Sequence, residues 1–160
     1  MQTIILVLAV GLFAAVSYSD IKSLRIPNSL VAAVAILGLT RLIAVGDLSA
    51  ALYTIAASVV VLIVAFLLFW RGLLGGGDAK LMAAVTVLVG HQGLTSFLFL
   101  MGICGGLVSF AVIVIHQYFP LFRGPRFAVL VPRARITVPY GVAIAAAGSL
   151  TLILQISNLR

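Results

Sequence analysis

Between Leu48 and Trp70 the chain runs for 23 residues without an Asp, Glu, Lys or Arg. A helix of that length in water carries a polar face, because its outer side meets solvent. This segment has none, and it is long enough to cross the roughly 30 Å hydrocarbon layer of a bilayer. The rest of the sequence follows suit. Of 160 residues, 64% are apolar; the charged ones are ten Lys or Arg and three Asp, with no Glu. Soluble domains carry about 25% charged residues, and disordered chains are far less apolar. Both classes are excluded. What remains is an all-α, polytopic membrane protein with no soluble domain.

Hydropathy and chain punctuation predict six spans in a single domain. They are Thr3 to Tyr18, Ser29 to Val45, Leu48 to Trp70, a short one from Asp78 or Ala79 to about Gly90, Leu94 to Gln117, and Gly141 to Ser157. The first lacks a basic segment before it and a small-residue cleavage site after it, so it reads as a retained anchor. Pro27-Asn28 opens the second, and Trp70-Arg71 closes the third as an interface anchor. The fourth, at 12–14 residues, is too short for a full crossing without tilt or local thinning.

Eight of the ten basic residues fall in three loops: Asp20 to Pro27, Arg71 to Lys80, and Tyr118 to Pro139. Six spans put all three loops on one side, leaving Arg41 and Arg160 on the other. The positive-inside rule makes the basic side cytoplasmic, and both termini are then expected outside the cytoplasm. The net charge of +7 is that of loop anchors rather than of a nucleic-acid-binding face. The Pro- and Arg-rich segment Pro120 to Pro139 reads as a cytoplasmic loop against lipid headgroups. A single cysteine, Cys104, leaves no disulfide framework and no Cys-based zinc site.

The same topology sorts the acids. Asp20 ends the first span and Asp78 begins the fourth, so both are expected at the cytoplasmic face. Asp47 lies in the tight turn Val45-Gly46-Asp47-Leu48 on the opposite side. Ionisable groups at the membrane are functional candidates; the bland alternative pairs Asp20 and Asp78 with Lys22 and Lys80. Asp78 follows Gly75-Gly76-Gly77 and reads as a helix N-cap. His91 is expected across the membrane from Asp20 and Asp78. His116 and Cys104 lie far apart along one helix, so no Ser-His or Cys-His machinery assembles. Arg41 is expected to snorkel to the outer interface, and Gly102-x-x-x-Gly106 to form a small-residue helix contact.

The segments Asp20-x5-Ile26-Pro27, Gly75-x-Gly77-Asp78-x-Lys80 and Pro139-Tyr140-Gly141 together resemble the prepilin peptidases, the type IV leader peptidase family of membrane aspartic proteases. Length and span number are similar to its small members serving Flp-type (tight adherence) pili. The likeness extends from about Tyr18 to Gly148. It implies Asp20 and Asp78 as the catalytic pair, with Ile26, Pro27, Gly75, Gly77, Lys80, Pro139, Tyr140 and Gly141 as supporting motif residues. It implies prepilin or pseudopilin substrates, cleaved at the cytoplasmic face of the cytoplasmic (inner) membrane, and neither metal nor organic cofactor. Larger bacterial members carry a cytoplasmic segment with paired cysteines, linked to N-methylation of the new N-terminus. This chain has no such segment, so methyltransferase activity is not expected.

The residues support the same chemistry. Two carboxylates sharing a proton can activate water and polarise an amide carbonyl. Asp20 at a helix C-terminus and Asp78 at a helix N-terminus would assign the shared proton to Asp20. The rival readings are an archaeal-type preflagellin peptidase, a small transporter using the acids as ion sites, and a non-catalytic assembly subunit.

Overall fold

The computed structural model describes residues 2–118 and 139–157. These form six α-helices: α1 (Gln2–Ser23), α2 (Asn28–Val45), α3 (Leu48–Trp70), α4 (Gly76–Val89), α5 (Leu94–Tyr118) and α6 (Tyr140–Ser157), with a 3-10 turn (His91–Gly93) between α4 and α5. The segment holding Arg123, Arg126, Arg133 and Arg135, and Arg160, lie outside the described residues.

Local signals explain most boundaries. Gly46, at φ 72°, ends α2 in the left-handed region that glycine tolerates. Asp47 then caps α3, its Oδ1 accepting from Ala50 N–H at 3.1 Å and Ser49 Oγ at 2.6 Å. These bonds hold the Asp47 carboxyl below the usual carboxylate range. Two boundaries differ from the sequence reading. Helix α1 continues past Tyr18 to Ser23, because nothing from Ser19 to Ser23 interrupts it. The break comes at Leu24, at φ 51°, whose N–H donates to the Asp20 carbonyl at 2.8 Å. Asp20 is therefore inside a helix rather than in a loop. Helix α4 begins at Gly76, with Gly75 at the cap position in extended conformation. The Gly75 carbonyl accepts from Ala79 N–H at 3.1 Å, which makes Asp78 the third helical residue, not the cap.

Five helices are long and apolar enough to cross a membrane. The sixth, α4, has 14 residues, about 21 Å at 1.5 Å per residue. It avoids lipid by being wrapped in protein. It packs against α2 and α3 and, less extensively, α6, while α6 also packs against α1 and α5. The bundle is thus two three-helix layers, α2–α4–α3 and α1–α6–α5, joined through α4–α6 and α1–α2 contacts.

Apolar residues line both the interior, which includes Phe13, Phe97 and Leu88, and the exterior. The interior holds many small ones: Ala9, Ala65, Ala79, Ala83, Ala84, Ala143, Ala145 and Ala147 are buried. Large apolar side chains such as Leu52, Val60, Phe66, Phe99 and Phe110 are exposed on the exterior. Lipid is as apolar as Leu, so helices there gain by close packing rather than by hiding apolar surface.

Candidate active site

One end of the bundle brings Asp20 and Asp78 together from helices 58 residues apart in sequence. Asp20, in the last turn of α1, is buried at 4% exposure. Asp78, in the first turn of α4, is half-buried. Asp20 lies close enough for its charge to act on the Asp78 carboxyl.

The glycines of the motifs make this convergence sterically feasible. A Cβ on Gly141 would fall 2.7 Å from Asp20 Oδ2 and 2.9 Å from Ile26 Cδ1. A Cβ on Gly77 would fall 3.3 Å from Ile26 Cβ, and one on Gly75 2.6 Å from Asp78 Oδ2. Ile26 is therefore a wedge between the α4 glycine turn and the start of α6, touching the neighbours of both carboxylates. Gly75 lets the Asp78 carboxyl fold back over the helix start, as a third-position acid does in a capping box. Pro27 stands at the cap position of α2 at φ −59°, which fixes the direction in which the Ile26 wedge enters.

The beginning of α6 supplies a donor. Val142 N–H donates to Asp20 Oδ2 at 3.3 Å. The first N–H groups of any helix lack intrahelical partners, and Gly141 lets one of them reach a carboxylate. This changes the electrostatics read from the sequence. Asp20 ends α1, but its carboxyl also faces the positive end of α6. Both acids meet a helix N-terminus, so the helix-end asymmetry that assigned the shared proton to Asp20 does not stand.

Other motif residues lie to the side. Lys80 is exposed and its Nζ donates to Asn28 Oδ1 at 3.3 Å, away from Asp78. Tyr140 lines a separate, mainly apolar cavity of about 270 Å³ with Leu74, Met82, Met101 and Ile144. Pro139 is half-buried just before α6. Gly102 and Gly106 border the same cavity as Tyr140, and a Cβ on either would meet nothing within 4 Å. Their predicted helix contact is thus not made among the described residues. Cys104 is a half-buried free thiol, and the side chain of His116 lies outside the described residues. Among the described residues no three His, Cys or acidic side chains are grouped to hold a metal ion.

The far end of the bundle gathers Asp47, His91 and Arg41 around a cavity of about 430 Å³. Asp47 and His91 are where the sequence places them, remote from Asp20. Arg41 is not. Instead of snorkelling outward, it turns inward: its Nη1 donates to the Leu88 carbonyl and its Nη2 to Gln155 Oε1 at 3.0 Å. The exposed carbonyls at the end of a short helix draw it in. Neither this bond pattern nor the Val142 donor was read from the sequence. The available signals were an Arg inside an apolar span and the orphan N–H groups expected after Pro139.

The sequence model of the type IV leader peptidase family matches residues 6–110, well over half the chain, and the chain belongs to that family. It is therefore a peptidase, a hydrolase of the leader-peptidase kind. No curated protein and no solved structure matches it.

Proposed function

We propose that this member of the type IV leader peptidase family is an aspartic endopeptidase of the cytoplasmic (inner) membrane. Its substrates are Flp-like prepilins or pseudopilins, whose basic leader is removed at the cytoplasmic face. The observation that carries the reading is the meeting of Asp20 and Asp78 beside the first N–H groups of α6. Two adjacent carboxyls resist double ionisation and share a proton. The ionised carboxylate takes a proton from an attacking water, and the protonated one donates to the scissile carbonyl oxygen. Collapse of the tetrahedral intermediate returns a proton to the leaving amine. No metal or organic cofactor is needed in this scheme, no methyl transfer accompanies it, and lipid and prepilin are the only partners it requires. The positive-inside rule puts the Asp20 end in the cytoplasm and both termini outside. A transporter would be expected to hold acids near mid-membrane, whereas here both sit at one end.

The test is cleavage of prepilin by purified protein. Asp20→Asn and Asp78→Asn at matched membrane levels should each abolish processing, and the double variant should lose little more, since groups acting as a unit are non-additive. Normal processing by either well-folded single variant would refute the assignment.

A further inference from the structure

The end of α4 remote from Asp78, ten residues or about 15 Å along the helix, is closed by two side chains. Leu88 and Val89 are the last two residues of α4, and their carbonyls lack intrahelical donors. Arg41 of α2 donates to the first. Gln155 of α6 donates from Nε2 to the second at 2.8 Å and accepts from Arg41 at 3.0 Å. The surrounding backbone is cut to fit. A Cβ on Gly93 would collide with Gln155 Nε2. A Cβ on Gly38, one turn before Arg41, would lie 2.8 Å from Leu88 N, so α2 and α4 touch backbone to backbone where the guanidinium reaches over. The 3-10 turn that follows is held by His91 N–H donating to Thr54 Oγ1 at 3.1 Å.

Along its sides α4 has little to stop it from sliding. Leu81, Ala84, Val85, Leu88 and Val89 are buried apolar side chains. Thr86 commits its hydroxyl to the Met82 carbonyl of its own helix at 2.9 Å. Ser58, which donates to the Ala83 carbonyl at 3.0 Å, is a lateral side-chain bond. At the near end stand three glycines and the exposed Lys80, whose Nζ makes one bond to α2, donating to Asn28 Oδ1 at 3.3 Å. Directional bonding is concentrated at the far end.

We propose that Arg41 and Gln155 are positioning residues: by gripping the end of α4 they set its axial height, and with it the distance at which Asp78 meets Asp20. The inference rests on the reading of that pair as the reacting groups. A rod of about 21 Å transmits an axial shift undiminished, and a misplacement of about 1 Å can cost about a hundredfold in rate.

The experiment compares wild type, Arg41→Met, Arg41→Lys, Gln155→Leu and Gly93→Ala, each purified, with kcat and KM for prepilin scaled to folded protein. Arg41→Met and Gln155→Leu should each lower kcat by about tenfold or more while KM stays near wild type. The double variant should be no worse than the poorer single. Arg41→Lys, which keeps a donor, should retain more activity, and Gly93→Ala, which displaces the Gln155 amide, should copy Gln155→Leu. A second readout is independent of cleavage: in a Cys104→Ala, Lys80→Cys background, adding Arg41→Met should change the maleimide labelling rate at position 80. Unchanged kcat in Gln155→Leu and Gly93→Ala, a loss confined to KM, or an unchanged labelling rate would overturn the proposal. If Arg41→Met does not fold, labelling is compared with Gln155→Leu instead. Failure of wild type to cleave prepilin would count against the peptidase reading, while the labelling result would still decide whether the grip sets the height of α4.

Discussion

Replacing Gly141 with alanine adds one methyl group at the crossing of α1 and α6. The new carbon would sit 2.7 Å from Asp20 Oδ2 and 2.9 Å from its Cγ, against an ordinary contact of 3.4 Å or more. Asp20 or the start of α6 must therefore retreat by about 0.7 Å, the difference between 2.7 and 3.4 Å. Ile26 Cδ1, at 2.9 Å from the same point, blocks one escape. The Val142 bond, already 3.3 Å long, would be lost by the same movement. Overpacking of this kind costs about 1–3 kcal/mol of stability. The catalytic effect should be larger than stability alone implies, because a shift approaching 1 Å costs up to about a hundredfold. We expect kcat for prepilin to fall about 10- to 100-fold, equivalent to about 1.4–2.7 kcal/mol, in protein that still folds. Gly148→Ala is the matched control. It also overpacks α6, mainly on α1 at 2.8 Å from Phe13 Cζ and more lightly on α4 at 3.1 Å from Val85 Cγ1, but two turns away from the carboxylate. It should lower the melting temperature yet leave kcat per folded molecule near wild type. Gly11→Ala, with open space around it, should change neither. Cleavage by Gly141→Ala at the wild-type rate, or equal catalytic damage in Gly148→Ala, would refute the reasoning.

Asp47→Asn should process prepilin at close to the wild-type rate, because Asp47 caps α3 at the far end of the bundle. The Asp47 carboxyl is held low by its folded-state bonds, so its stabilisation is present above the unfolded value of about 3.9 and disappears as pH falls through the lower folded value. The acid limb of wild-type melting should flatten in the variant, and an unchanged acid limb would refute the cap's role. Reporter fusions after Gly46, His91 and Arg160 should read outside the cytoplasm, and those near Arg25, Gly76 and Arg126 inside; a cytoplasmic signal after Arg160 would overturn the span count. Mature pilin made by this enzyme alone should carry an unmodified N-terminal amine, and a mass increase of one methyl group that depends on this protein would contradict that.

What the sequence revealed depended on how far each interaction reaches along the chain. The bounds of α3 follow from neighbours: Gly46 and Asp47 at the start, Trp70-Arg71 at the end. The approach of Asp20 to Asp78 was also legible, because alternating spans convert chain order into shared depth without any contact needing to be known. The helical positions of the two acids were harder to read. Polar residues around Asp20 resemble a loop, yet α1 holds them until Leu24, and Gly75 rather than Asp78 takes the cap, with the Asp78 carboxyl folded back over it. Hidden altogether were bonds such as Arg41 to Leu88 and to Gln155, 47 and 114 residues apart. No local pattern announces them; the carbonyls they satisfy exist only because α4 stops short inside the bundle.

That shortness also bears on insulation. A transmembrane voltage that falls over about 30 Å of lipid has only the nine residues from Leu81 to Val89, about 13.5 Å of apolar rod at 1.5 Å per residue, along the α4 seam, so the field there is steeper. The molecule holds polar groups at both ends of that seam, the aspartates at one and Arg41, His91 and Gln155 at the other. The stretch from Leu81 to Val89 is then all that separates the two polar ends along this seam. Its composition fits that role. Among Leu81, Met82, Ala83, Ala84, Val85, Thr86, Val87, Leu88 and Val89 the sole side-chain hydroxyl belongs to Thr86, and it is already turned back onto the Met82 carbonyl of its own helix.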